Sequence, residues 1–383
     1  MKNIHLVIAS CLTSIILIYI VLFIYTFFNF DKDFEYTFKS SENLNFHQKY
    51  SKKLHHIRDE ITLNLLFKKP KVEDLLFTTI NNIEDKEVII LFQGDSWMEQ
   101  LTSPVDNNFI SVKLVQQFKS QKKVGFINAG TGSYSPSLMN LQLDVLEEDF
   151  KIFPNIVITY IDQTDIGDEN CRYKNNKIYK NGTLESIQSE TQLMYRDIFN
   201  YSEIYRLSEI YLKDNSKISK TFQLINFKFK YNLKKNGIRF YRKYISNLES
   251  DKEKLKKCYG SAIQKYLIDP NDSDIKYFED SITEYIKKIE RKKHIKKLIF
   301  VTAPHKGNFD PKNRYKLNVS DVVDDVIKNK KNITHINFSK ILLNDKNFDH
   351  KNIWHIDDVH LNSNIHGKVF IKKILDELSK YLL

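Results

Sequence analysis

Glycine, proline and cysteine are scarce in this 383-residue chain, at 10, 7 and 3 residues. So few of the first two leave no Pro/Gly/Ser-rich stretch that would read as a flexible linker, and no internal repeat is present. Charge is missing from one long segment. Between Asn3 and Phe30 there is no Asp, Glu, Lys or Arg, and Ile, Leu, Val and Phe dominate from Ile4 onward. About 20 apolar residues cross a bilayer, so this run is read as a membrane span. Lys2 before it and Asp31 after it favour a cytoplasmic N-terminus. A cleavable signal peptide would have an apolar region of about 7–15 residues ending in small residues. This run is longer and closes on Thr26-Phe27-Phe28-Asn29-Phe30. The Ile8-Ala9-Ser10-Cys11 stretch resembles a lipoprotein cleavage box, but hydrophobicity continues well past Cys11. The expectation is an uncleaved anchor (residues 1–30), with the rest of the chain on the periplasmic or extracellular side. Cys171 and Cys258 are then the only pair that could form a disulfide outside the span. An external compartment permits one, and free buried thiols fit the sequence equally.

Acidic residues are absent from a second region, Asn215 to Leu248, which carries Lys217, Lys220, Lys228, Lys230, Lys234, Lys235, Arg239, Arg242 and Lys243 among seven aromatics. This is the main concentration behind a net charge of +11. Three readings stay open: a solvated helical face with its own small core, a collar resting on anionic lipid headgroups, or a surface that captures an anionic glycan or other envelope polymer. Basic residues with stacking aromatics also suit nucleic acid, but the outer side of a membrane excludes that partner.

The sequence places its chemistry at two distant points. The apolar run Val88-Ile89-Ile90-Leu91-Phe92 ends in Gly94-Asp95-Ser96. A serine at the turn after a buried strand presents its hydroxyl at the sheet edge, where α/β proteins hold reactive groups. The second point is Asp357-Asp358-Val359-His360. An Asp three residues before a His can orient the imidazole, leaving the other ring nitrogen free to act as general base. Asp357 has that spacing and Asp358 does not. Each piece alone also reads as an ordinary turn or polar loop.

Together the two pieces resemble the SGNH (GDSL-type) hydrolase family, over residues 86–170 and 295–383. The resemblance implies Ser96 as nucleophile, His360 as general base and Asp357 as its orienting acid. It implies an oxyanion hole from the N–H groups of Ser96 and Gly130, the latter in Asn128-Ala129-Gly130. The family's third block, Gly-x-Asn-Asp, is replaced here by Asp162-Gln163-Thr164-Asp165. Thr164 or Gln163 then stands in for the asparagine donor. Asp95, Asn128, Gln163, Asp165 and His305 are further candidate pocket residues. The activity implied is that of an esterase or O-acyltransferase on acyl groups, above all acetyl, of envelope carbohydrate, with no cofactor. A degenerate domain that binds a glycan without cleaving it is the alternative.

Short β-rich runs at Val88–Phe92, Val124–Asn128, Ile156–Ile161, Leu298–Thr302 and Ile333–Phe338 alternate with helix-like segments such as Ser135–Glu148. This predicts an α/β fold: a three-layer α/β/α, flavodoxin-like parallel sheet in two parts, 86–170 and 296–383. Residues 31–85 read as a stalk and N-terminal helical segment that also packs on the domain, with helical character at Asp59–Leu66. Residues 171–295 read as a basic helical insertion. Asp162, Asp165, Asp168 and Glu169 could attract a hard cation, but they lack the loop pattern of a dedicated site, and no metal is expected. Asn181-Gly182-Thr183 matches a glycosylation sequence that arises by chance in so Asn-rich a chain.

Overall fold

The computed structural model describes residues 2–32, 46–47, 49–58, 71–102, 113–115, 118, 123–188, 216–244, 258, 261–309, 315–344, 353–354, 360–362 and 365–382. The chain forms two units, residues 1–49 with 190–250 and residues 50–189 with 251–383. Among the described residues the second holds eight strands: β1 (Thr78–Thr79), β2 (Val88–Gln93), β3 (Val124–Asn128), β4 (Ile156–Tyr160), β5 (Lys177–Lys180), β6 (Thr183–Ile187), β7 (Lys297–Thr302) and β8 (Ile333–Asn337). Six of them make one sheet in the order β1-β3-β2-β4-β7-β8. β1 is an antiparallel edge, and the other five run parallel.

Ordered along the chain, the five parallel strands follow a 2-1-3-4-5 pattern, that of flavodoxin-like sheets, with the switch point between β2 and β4. The fold is α/β, as the alternation of segments predicts. The central strands are continuous apolar runs because both of their faces are covered. On one face Phe92, Ile158, Tyr160 and Val301 join a core with Trp97, Phe370, Ile374 and Leu378. The last two lie on the C-terminal helix. On the other face Gln93, Thr159 and Phe300 meet a buried Tyr285, whose hydroxyl donates to Gln93 Oε1 (2.7 Å) and hydrogen-bonds Thr159 (2.7 Å).

The helices, numbered along the chain, are α1 (Lys2–Phe28), α2 (Ser96–Glu99), α3 (Pro136–Phe150), α4 (Lys217–Tyr244), α5 (Ser261–Ile268), α6 (Asp272–Arg291), α7 (Val319–Ile327), α8 (Phe338–Asn344) and α9 (Lys372–Leu382). Proline at the first position of α3 and left-handed Lys151 (φ 56°) at its end mark where that helix starts and stops. α6 begins with Asn271 accepting from the Asp274 N–H. It carries Asp272 and Asp274 in its first turn and Lys288 and Arg291 in its last, all of which complement the helix dipole. It packs against α3 and α7 and so is a covering helix of the sheet.

The reading of residues 171–295 as a helical insertion is therefore corrected in two places. α5 and α6 belong to the α/β unit, and residues 177–187 form the β5–β6 hairpin. Asn181 (φ 51°) and Gly182 (φ 74°) close that hairpin in the left-handed conformation which an Asn-Gly pair adopts readily. Residues 50–58 and 71–85 also belong to this unit. The expected helix at 59–66 lies outside the described residues.

Cys171 and Cys258 form a disulfide with their Cα atoms 5.6 Å apart and 87 residues between them in sequence. Arg172 Nε donates to the Cys258 carbonyl (3.0 Å) beside it and pairs with Asp168 at 3.0 Å. The bond thus closes a loop that contains the β5–β6 hairpin and the excursion through residues 190–250.

In the other unit, Ala9–Phe28 is long and apolar enough to cross a membrane. Val7, Leu12, Ile15, Ile16 and Val21 stand exposed along α1. α4 packs on α1: Phe222 meets Phe23 (ring centroids 4.5 Å) and Tyr19 (6.2 Å), while Lys217 Nζ lies 4.9 Å from the centre of the Phe27 ring.

Closing a loop of this length stabilises a fold by about 4–5 kcal/mol in the chain-entropy account. Reduction, or Cys171→Ser, should therefore lower the melting temperature of the α/β unit without removing its secondary structure. Circular dichroism melts of the full chain with and without reductant would show the drop; coincident melts would deny the bond any stabilising role.

Candidate active site

β2 ends in Gln93, and the chain then turns through Gly94 at φ +150°, a conformation open to glycine. A Cβ there would lie 2.9 Å from Tyr160 Cβ, so the turn passes directly over β4. Asp95 follows as N-cap, its Oδ1 accepting from the Trp97 N–H at 2.9 Å. Ser96 opens the short helix α2. Trp97 is fully buried, stacked on Tyr160 (5.1 Å) and parallel to the His305 ring (6.1 Å), with Phe370 at 5.6 Å. His366 Nε2 is 2.9 Å from the Trp97 carbonyl oxygen. The serine therefore stands on a peptide held from four sides, at the switch point of the sheet.

His360 Nε2 lies 2.7 Å from Ser96 Oγ, although 264 residues separate the two in sequence. Ser96 Oγ is also 3.3 Å from Asp95 Oδ2. A neutral imidazole with its proton on Nδ1 would accept the serine proton at Nε2, the geometry that general-base catalysis requires. Asp357 and Asp358 lie outside the described residues.

The expected oxyanion donors divide. Among the described residues the Ser96 N–H has no hydrogen-bond partner, so it is available to a developing negative charge. Gly130 lies beside α2, and a Cβ on it would fall 2.5 Å from the Glu99 nitrogen, so only glycine allows this approach. Its N–H donates to Asn128 Oδ1 at 2.9 Å. The next two N–H groups are also engaged, Thr131 with the Gly94 carbonyl (3.0 Å) and Gly132 with Glu99 Oε2 (2.9 Å). The Thr164 hydroxyl donates to Asp162 Oδ2. Gln163 spans between loops: its Nε2 donates to the Ala303 carbonyl (2.9 Å) and its Oε1 accepts from the Val319 N–H (3.1 Å). Asn128 Nδ2 donates to Thr102 Oγ1 at 2.7 Å.

The loop after β3 has a support that no motif reveals. Arg58 is buried, its Nε donating to the Gly130 carbonyl and its Nη2 to the Asn128 carbonyl, both at 2.8 Å. Its Nη1 reaches Thr78 Oγ1 (2.8 Å) and the Asp74 carbonyl (3.1 Å). A guanidinium suits this task because its planar fork serves several carbonyls at once. Nothing in the sequence around Arg58 marks it; only the folded topology brings it under Gly130.

The acidic residues of the third block separate into distinct environments. Asp162 is buried and accepts from His305 Nε2 (2.6 Å), Tyr160 hydroxyl (3.0 Å) and Thr164 N–H (2.9 Å). Burial alone would raise its carboxyl, but the His305 imidazole and the Thr164 donors outweigh that and hold it below the ordinary range. Asp95 and Asp165 go the other way. Burial, followed by the charge of neighbouring carboxylates, pushes both well above it. Asp165 Oδ2 accepts from the Asp162 N–H (3.1 Å), while its Oδ1 is buried without a partner. Burial raises Asp168 to about 7 despite Arg172. Glu169 sits apart, accepting from Ser135 Oγ (2.6 Å) and the Ser137 N–H (2.8 Å) at the start of α3, with Lys177 Nζ at 2.9 Å. Among the described residues, Asp95, Asp162 and Asp165 are the group that could hold a cation, each offering an oxygen within 4.8 Å of the others. Asp162 already has donors on both of its oxygens. Burial and mutual repulsion push Asp95 and Asp165 toward their protonated forms, which lowers the repulsion without an ion.

No family model matches the chain, and no curated protein matches it. Solved structures resemble it weakly. A Bacteroides fragilis protein described as an acylhydrolase shares 11% identity over 79% of this chain and 92% of its own, at a TM-score of 0.39. An acetylxylan esterase from Geobacillus stearothermophilus shares 12% identity over 76% of this chain and 94% of its own, at a TM-score of 0.38. An α/β hydrolase from the metagenome of Lake Arreo shares 9% over 78% of this chain and 97% of its own, at 0.35.

A carboxyl whose pKa is raised on folding keeps its proton to higher pH in the native state than in the unfolded chain, where it ionises near pH 4. Its stabilising contribution is full below that pH and is lost as pH rises toward the folded pKa. Asp165→Asn keeps an acceptor for the Asp162 N–H and turns a donor toward the neighbouring carboxylates. The variant should therefore melt a few degrees higher than wild type at pH 8 and little differently at pH 4. A lower melting temperature at both would show that Asp165 is ionised in the folded protein.

Proposed function

We propose that this chain is a membrane-anchored serine esterase or O-acyltransferase of the SGNH type, acting on ester-linked acyl groups, with acetyl as the first candidate, of envelope carbohydrate. The observation that carries the reading is the 2.7 Å approach of His360 Nε2 to Ser96 Oγ at the sheet's switch point. Ser96 Oγ attacks the ester carbonyl as His360 takes its proton. The oxyanion forms against the Ser96 N–H, joined by Gly130 once its N–H turns from Asn128 to the substrate. His360, steadied by Asp357, returns the proton to the departing alkoxide and leaves an acyl-serine. Water, or a sugar hydroxyl where water is excluded, then takes the acyl group by the reverse steps. No step calls for a cofactor. Ala9–Phe28 serves as the anchor, and the domain lies outside the cytoplasm, a placement that the Cys171–Cys258 disulfide supports.

A second reading has a specific observation in its favour. The Gly130 N–H and the Thr164 hydroxyl both bond within the protein, which suits a domain that holds a glycan without turning it over.

Turnover of p-nitrophenyl acetate by the full chain in detergent separates the two. Wild type should release nitrophenolate, and Ser96→Ala and His360→Ala should each lose at least about a thousandfold. Activity surviving in Ser96→Ala would remove the serine mechanism. If the folded wild type is silent on this ester and on acetylated xylan, yet binds the polymer equally with and without Ser96, the glycan-binding reading replaces it.

A further inference from the structure

The basic helix α4 has a face that the enzymatic reading leaves unused. Ile218, Phe222, Phe229 and Leu233 are 55%, 42%, 65% and 57% exposed. At 3.6 residues per turn these positions fall within about 60° of one another, so they form one narrow apolar stripe along four turns. Thr221, Leu224 and Ile225 are buried, which leaves the stripe as the outward apolar surface of this part of the helix. Lys217, Lys220, Lys228 and Lys230 lie off the stripe, on its flanks and on the opposite side of the helix. No acidic residue occurs from Asn215 to Leu248.

What the stripe adjoins identifies its occupant. Phe222 belongs to the stripe and also rests on Phe23 and Tyr19 of α1, and Lys217 stands over Phe27. The helix is therefore seated on the C-terminal half of the segment read as the membrane span, whose own apolar side chains are exposed. Wherever α1 meets acyl chains, the first turns of α4 are beside them.

We propose that α4 is a second membrane-contacting element: its Ile218–Phe222–Phe229–Leu233 stripe is sunk in lipid next to the anchor, and its lysines lie against anionic headgroups. An apolar stripe on a helix whose other faces carry lysine is the composition of helices that lie in the lipid interface. Lysine stems can run along apolar surface while the ammonium groups reach the phosphate level. The inference rests on α1 being the anchor and is independent of whether Ser96 is a nucleophile.

The test uses the full chain with Cys11→Ser and one environment-sensitive fluorophore, placed on a cysteine at position 222, 229, 233 or, as off-stripe control, 230. The protein is held in nanodiscs of phosphatidylcholine with phosphatidylglycerol. Nitroxides on the lipid acyl chains should quench the three stripe labels at least threefold more than the Lys230→Cys label, and aqueous iodide should show the opposite order. Stripe labels as open to iodide as the control would place the helix in water and overturn the proposal. Shielding from both quenchers would mean that protein, such as a second copy of this chain, covers the stripe, and would overturn it equally. Replacing phosphatidylglycerol by phosphatidylcholine should raise iodide access at Phe229→Cys. Unchanged access would exclude the anionic headgroup as the lysines' partner.

Discussion

Trp97 is the point at which the elements of the candidate active site meet. It is the second residue of the turn that carries Ser96, and its indole is enclosed by Tyr160 from β4, His305 from the loop after β7 and Phe370 ahead of α9. The same residue's carbonyl receives His366, and the His360 ring lies 6.5 Å away. Burying an aromatic of this size fixes the relative placement of three strand ends and the C-terminal segment at once. The hydroxyl of Ser96 depends on that arrangement, because a serine on a turn free to rock would not hold an imidazole at hydrogen-bond distance.

Charge is organised around this apolar post in a graded way. One carboxylate, Asp162, is kept ionised by donors on both oxygens, and two others beside it are driven toward neutrality. The immediate surroundings of Ser96 thus carry less negative charge than a count of aspartates implies. That favours the acyl transfer proposed above, since a developing oxyanion is destabilised by fixed negative charge nearby. Glu169, by contrast, is fully ionised but lies at the start of α3, where seryl hydroxyls, a backbone N–H and Lys177 receive it.

The inner parallel strands were legible because burial on both faces makes them near-continuous apolar runs; Val124–Asn128 and Ile156–Tyr160 are found almost residue for residue. Ser96 and His360 were legible because a strand-ending Gly-Asp-Ser and a late Asp-x-x-His are local patterns, and the fold brings the two together. The β5–β6 hairpin was missed because one of its strands, Lys177–Lys180, is largely exposed and gives no apolar alternation. Its Asn181-Gly182 turn was the overlooked signal. Arg58 could not be found at all, since its partners are backbone carbonyls distant in sequence, and a carbonyl has no sequence signature. The internal bonds of Gly130 and Thr164 were hidden for a similar reason: a motif identifies a donor but not the acceptor it meets.

The Cys171–Cys258 bond has a consequence for how this chain tolerates damage. Because the two cysteines stand 5.6 Å apart on either side of the excursion, a cut anywhere within residues 190–250 would leave the α/β unit a single covalent piece. The covalent boundary of the sheet that positions Ser96 therefore does not depend on an unbroken backbone between residues 190 and 250.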